Sequence, residues 1–184
     1  MHIVRRAIPT EYHKYRAHLK ALDAESRYLR FTSAASDAFI DKLCDAVESD
    51  TARHVLFAIE DADLNFVAVA HIAIFDETEL AFSVSKECQG QGMGQSLMRR
   101  AIQYCRTHEI LTGHMVCLQT NAAMKKLCSR NNVHVETECG ESTGVIELDK
   151  ANALTYFEEA ASANLGVFDY LSKRTMRPWS ILAQ

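Results

Sequence analysis

The residues Gln89-Gly90-Gln91-Gly92-Met93-Gly94 are the stretch of this 184-residue sequence most clearly suited to chemistry. Three glycines within five positions let a backbone come close to a phosphate. Where such a loop opens a helix, its N–H groups and the positive helix end face the anion. A strand-like run, Glu79 to Val84, leads into the loop through residues 85–88, and a helical pattern from about Met93 to Thr107 leaves it. Two other phosphate loops do not fit. A Walker loop needs Lys followed by Ser or Thr after its last glycine, whereas Gly94 is followed by Gln95 and Ser96. A Rossmann fingerprint is Gly-x-Gly-x-x-Gly near the start of a parallel sheet, whereas this loop is Gly-x-Gly-x-Gly after several antiparallel-type runs. The bland alternative is a flexible loop that merely caps a helix.

The loop is held by elements that show in the hydrophobic periodicity. A short strand near Ile3 precedes a helix signalled by Pro9 and Thr10, with Tyr12, Tyr15, Leu19 and Leu22 on one face. A second helix spans about Ala24 to Phe31. Ser36 reads as the N-cap of a third, which carries Ile40, Leu43 and Val47. The period then shortens: His54 to Glu60 and Phe66 to Phe75 are β-rich runs joined by a polar turn at 61–65. After the loop helix, Leu111-Thr112-Gly113 reads as a turn, His114 to Leu118 as a strand and Ala122 to Arg130 as a short helix. Val133 to Thr137 and Gly144 to Leu148 form a closing hairpin around Cys139-Gly140-Glu141-Ser142. Residues 151–184 add an amphipathic helical stretch and a tail ending Arg177-Pro178-Trp179.

Composition narrows the partners. The chain is 48% hydrophobic and 24% charged, which suits one globular domain. A net charge of −4 with both signs dispersed offers no basic stripe for nucleic acid or an anionic membrane. The six cysteines, at 44, 88, 105, 117, 128 and 139, include no Cys-x-x-Cys pair and no zinc-type spacing with histidine, so free thiols and no metal are expected. With neither a signal-peptide pattern nor an apolar run of membrane length, a cytoplasmic protein is expected.

On Gln89, Gly92 and Gly94 the chain resembles the GNAT superfamily of N-acetyltransferases, whose signature is Gln or Arg, two residues, Gly, one residue, then Gly or Ala. The resemblance covers roughly residues 2–149. It implies an α/β fold of α+β type, with a central mixed, mostly antiparallel sheet flanked by helices and splayed between the strands ending at Val84 and Leu118. It also implies an acetyltransferase domain over 1–149, with 150–184 as a helical extension packed on that domain or on a partner subunit. The enzyme would be an acyl-coenzyme A-dependent N-acetyltransferase, a monomer or homodimer, with acetyl-coenzyme A as donor and a primary amine as acceptor. The loop from Gln89 through Gly90, Gln91, Gly92, Met93 and Gly94 to Gln95 would hold the pyrophosphate. Backbone at Phe82 and Val84 would meet the pantetheine arm and acyl carbonyl. Three stretches, Ser26 to Phe31, Glu79 to Val84 and Asn121 to Met124, look like the bacterial Pat-type protein-lysine acetyltransferase domain and imply a lysine acceptor.

Such a reaction needs a neutral amine, yet a lysine ammonium has a pKa of about 10.4, so a carboxylate acting directly or through water is chemically apt. Glu79, ten residues before Gln89, stands where Pat-type domains carry their catalytic glutamate. The alternatives are a solvated strand-edge carboxylate at Glu79 or a role for Glu77. Asn121 matches a position that hydrogen-bonds the pantetheine region and is equally placed to cap the helix from Ala122. Where many GNAT enzymes carry a tyrosine that protonates the departing thiolate, this chain has Cys128, either a proton donor or a small buried residue. That departure motivates the alternative of a catalytically inactive acyl-coenzyme A-binding sensor. His71 reads as a pocket residue or a satisfied structural histidine, and Arg27, Tyr28 and Arg30 as acceptor contacts or a solvated helix face.

Overall fold

The computed structural model describes residues 2–138 and 141–181, with backbone alone at 137–138, 141–142 and 177–181. Among the described residues seven strands form one sheet: β1 (Arg5–Arg6), β2 (His54–Glu60), β3 (Phe66–Ile74), β4 (Thr78–Val84), β5 (Thr112–Leu118), β6 (His134–Glu138) and β7 (Glu141–Glu147). Their spatial order is β1-β2-β3-β4-β5-β7-β6. Every neighbouring pair is antiparallel except β4 and β5, which run parallel and are in register only at Glu79 and His114. Beyond that rung the two strands part toward Val84 and Leu118. This is the mixed, splayed sheet expected from the sequence.

The α-helices of the described residues that cover the sheet are α1 (Tyr12–Ala21), α2 (Ala24–Phe31), α3 (Asp37–Ser49), α4 (Met93–Thr107), α5 (Ala122–Arg130) and α6 (Ala153–Ile181). The side-chain alternation of a strand divides the core between the two faces. Ala70, Ile72, Leu80 and Phe82 pack with Leu97, Met98 and Ala101 of α4. Leu56, Ala58 and Val69 pack with Tyr15 and Leu19 of α1 and Ile40 and Val47 of α3. Covered on both sides, β2 is buried at all seven positions. As expected, Ser36 caps α3, its Oγ accepting from Phe39 N at 3.2 Å.

The turn expected at Leu111-Thr112-Gly113 is instead strand from Thr112 onward. Thr112 and Gly113 pair with Glu147 and Ile146 inside β5. Gly113 serves close approach, because a Cβ there would lie 3.0 Å from Leu80 Cδ1 and 3.2 Å from Ile146 Cγ2. The expected closing turn falls partly on Cys139 and Gly140, outside the described residues, while Glu141 and Ser142 belong to β7. The Arg177-Pro178-Trp179 side chains are likewise outside them.

Helix α6 lies against β1 and α4. The buried Arg5 guanidinium donates to Glu11 at 2.7 Å and to Glu60 at 2.5 and 2.9 Å, and stacks 4.4 Å from the Tyr170 ring centroid. Gly166 permits this contact, since a Cβ on it would stand 2.6 Å from Arg5 Cβ. Gly166→Ala is therefore expected to destabilise the fold by about 1–3 kcal/mol, the scale of an overpacked contact, despite alanine's better helix propensity. Urea unfolding checks this, and equal or higher stability of the variant contradicts it.

Candidate active site

The glycine loop joins β4 to α4. Gly90 and Gly92 adopt φ of 75° and 84°, left-handed conformations that strain any residue with a Cβ. Nothing lies within 4 Å of a Cβ built on either, so the space above them is open. Gly92 is the N-cap of the 15-residue α4, and no side chain caps that end. The first-turn amides thus point toward the opening, as an anion site requires. Gly94 has no such backbone demand. A Cβ there would meet only Leu127 Cδ2 at 3.8 Å, an ordinary contact.

The glutamine side chains brace the loop instead of facing a ligand. Gln89 Nε2 donates to Ser26 Oγ at 3.0 Å and to Val84 O at 3.2 Å, tying the loop to α2 and β4. Gln91 Nε2 donates to Glu87 O, and Gln91 O accepts from the His2 ring at 2.8 Å. Gln95 and Asn131 exchange hydrogen bonds of 3.0 and 3.2 Å, which pins α4 to the end of α5. What these glutamines can offer a ligand is backbone. Gln91 does not line the cleft described next, whereas the other expected residues do.

A cleft of about 790 Å³ runs from the loop along the gap between β4 and β5. At the loop end it is lined by Gly90, Gly92, Met93, Gly94, Gln95, Lys126 and Arg130, and along its middle by Phe82, Val84 and Asn121. Its far end is bounded by Arg30, Phe31, Phe39, Phe75, Glu79 and two histidines. Lys126 and Arg130 thus stand at the glycine end, and the Glu79 carboxylate at the other in company with Arg30. Glu79 is the exposed residue at the one rung joining β4 to β5, and no hydrogen bond or ion pair engages its carboxylate among the described residues. Glu77 does not line the cleft. Asn121 caps α5, its Oδ1 accepting from Met124 N at 3.0 Å, while its side-chain amide also borders the cleft.

Two other expectations resolve clearly. Cys128 is 1% exposed within the core, its sulfur 3.6 Å from a Cβ built on Gly144, and burial pushes its thiol up to about 11. It lines no part of the cleft and is a packing residue. Of the grouped α2 residues only Arg30 lines the cleft; Arg27 is held by Asp37 and Lys20 O, and Tyr28 is exposed.

The histidines form a buried layer under the far end. His71 lies between Tyr15 and His54, with Nδ1 3.4 Å from the Tyr15 hydroxyl and Nε2 2.9 Å from His54 Nδ1. Arg30 Nη2 donates to the same hydroxyl at 3.4 Å. Burial, then the Arg30 charge, holds His71 well below the usual imidazole range, and burial lowers His54 as well. Sequence patterning singled out His71 and missed His54. Only the β2–β3 register, which seats Leu56 opposite His71 and His54 opposite Ala73, brings the two rings to one face.

His18 gives a testable pH dependence. Its Nδ1–H donates to Phe66 O at 3.0 Å and its Nε2 accepts from Ser83 Oγ at 2.9 Å, while burial pushes it down to about 4. Unfolded, it titrates at about 6.5, so between these values the unfolded chain binds more protons and stability falls as pH falls. His18 alone contributes a loss on the order of 3 kcal/mol across that window. Thermal melts from neutral to acid pH should show the decline, and His18→Gln should flatten it; an unchanged slope in the variant contradicts the assignment.

A sheet opened at one parallel pair, with a glycine loop and helix N-terminus at one end of the gap and a carboxylate at the other, defines a site that can hold a phosphate-bearing ligand lengthwise. The sequence model described as the acetyltransferase (GNAT) family matches residues 17–131, and the chain belongs to that family. It is similar to an acetyltransferase of Pseudomonas aeruginosa, 28% identical over 137 residues covering 71% of this chain and 74% of the relative. Its fold is similar to the GNAT domain of S. lividans PAT, with TM-score 0.66, 20% identity and coverage of 79% of this chain and 89% of that one. It is also similar to yncA from Salmonella typhimurium, solved with its cofactor acetyl-CoA, with TM-score 0.59, 17% identity and coverage of 82% and 95%.

Proposed function

We propose that the protein transfers an acetyl group from acetyl-coenzyme A to a primary amine by direct attack, with Glu79 as general base. The observation carrying this reading is the unpartnered Glu79 carboxylate at the end of the cleft opposite the glycine loop. The donor's pyrophosphate lies on the amides of residues 89–95, with Lys126 and Arg130 near its negative charge. The pantetheine arm follows the gap along Phe82 and Val84, and the side-chain amide of Asn121 is placed to hydrogen-bond it. The family and the Salmonella neighbour's bound acetyl-CoA support this choice of donor.

At the far end Glu79 takes a proton from the ammonium, directly or through one water, and the neutral amine attacks the thioester carbonyl. A β4 backbone N–H facing the gap stabilises the developing oxyanion. The attacking nitrogen sheds its second proton to water as the C–S bond breaks, and the thiolate leaves unprotonated: among the described residues no tyrosine lines the cleft, and Cys128 is in the core. A thiol of pKa about 8.5 makes a good enough leaving group to take its proton from water afterwards.

The test is coenzyme A release from acetyl-coenzyme A with a panel of lysine peptides, polyamines and amino acids. Acceptor-dependent release, with N-acetyl product seen by mass spectrometry, supports transfer. Thermal stabilisation by acetyl-coenzyme A without turnover on any amine supports the sensor reading in its place.

A further inference from the structure

Helix α6 is docked by the reverse of the usual face. Its small and polar positions Thr155, Glu159, Ser162, Gly166, Tyr170 and Lys173 turn inward, where Glu159 pairs with Arg100, Ser162 Oγ approaches Gln103 Oε1 and Lys173 Nζ donates to Glu60 O. Outward, Leu154 is 62% exposed, Phe157 and Phe168 71% each and Leu171 49%. A surface helix ordinarily buries its large apolar side chains and exposes its polar ones. An apolar exposed face of this kind marks an interaction surface.

We propose that this face is the seam of a homodimer, in which α6 of one copy lies antiparallel to α6 of the other about a twofold axis passing between residues 162 and 163. The four outer positions of this line read alike from either end of that point, since Leu154 mirrors Leu171 and Phe157 mirrors Phe168, while at the centre the small Ala161 falls opposite Asn164. An isologous contact makes this demand on a sequence, since residue i meets j and j meets i, whereas an unrelated partner makes none. None of these six residues is charged, so the twofold brings no like charges together on the seam. Small residues near the centre, Ala160 and Ala161, let the two helix axes approach, and the Phe and Leu side chains interdigitate toward both ends. Asn164, beside the axis, is the single polar group on the line and sets the register, as a lone asparagine does in a coiled coil.

Light scattering on the full chain tests the pairing and should give twice the 20.7 kDa chain mass. Phe157→Glu with Phe168→Glu should yield a monomer with unchanged circular dichroism, because both rings stand in solvent in the single chain. Asn164→Cys should self-crosslink through a short bis-maleimide, its two copies being offset by only about 5 Å along the helix. Leu154→Cys should not, its two copies being offset by about 26 Å at about 1.5 Å rise per residue. The proposal is overturned by a chain that stays monomeric at its highest soluble concentration, or by a dimer indifferent to the two glutamates. Crosslinking at Leu154 would likewise overturn it by requiring parallel helices, and a monomer that co-sediments with anionic vesicles would assign the face to lipid.

Discussion

On the proposed mechanism Glu79→Gln should lower kcat for acetyl transfer by about 10²–10⁴-fold and leave the affinity for acetyl-coenzyme A unchanged, the loss that removal of a positioned general base produces. The split between rate and affinity follows from the length of the cleft. Glu79 sits at the opposite end from the glycine loop, so the change leaves the anion-binding amides untouched. Gln has nearly the shape of Glu but no basic oxygen, and its two N–H donors leave the rest of β4 in place. Glu79→Asp, one methylene shorter, should fall between the two because the carboxylate is retained but withdrawn from the amine. Steady-state rates across pH, with donor affinity measured separately, decide the matter. Wild-type kcat in Glu79→Gln at every pH, with normal donor binding, would remove the residue from the mechanism.

Gly92→Val should act at the other end and on the other parameter, raising the Kd for coenzyme A by at least about a hundredfold, or roughly 2.7 kcal/mol. Two costs combine. A φ of 84° strains a β-branched residue by about 1–2 kcal/mol, and the backbone relieves that strain by turning the amides away from the opening. The new methyl groups also enter the space above the loop, which no protein atom occupies within 4 Å. Gly94→Ala is the control: it lacks the positive φ and meets only Leu127 at ordinary distance, so it should cost less. Calorimetry on the three proteins checks the order, and equal affinity for Gly92→Val and wild type would show that the loop does not bind the donor.

Periodicity revealed the helices and most of the sheet because their core faces are regular: Tyr12, Tyr15 and Leu19 on α1, Ile40 and Val47 on α3, and the unbroken apolar run Val55 to Ile59 in β2. It missed the start of β5, since Gly113 carries the composition of a turn and its reason for being glycine lies in Leu80 and Ile146, distant in sequence. In the cleft, residue types were legible but side-chain direction was not. Gln89, Gln91 and Gln95 resemble ligand groups in one dimension, yet their amides are engaged by Ser26, Glu87 and Asn131. His54 could not have been joined to His71 without the strand register. Cys128 could be weighed as acid or filler only by its type, until burial against Gly144 decided it.

The single rung at Glu79 and His114 has a further consequence. Mechanically the sheet is two plates, β1 to β4 and β5 to β7, hinged at one end, and past the hinge each plate presents main-chain N–H and C=O groups with no ladder partner across the gap. A ligand rich in amides, laid along the gap, completes the ladder as an extra strand would. The unloaded protein should therefore exchange the facing amides of β4 with solvent faster than those shared with β3, and loading should slow them, so that two plates come to open and close as one.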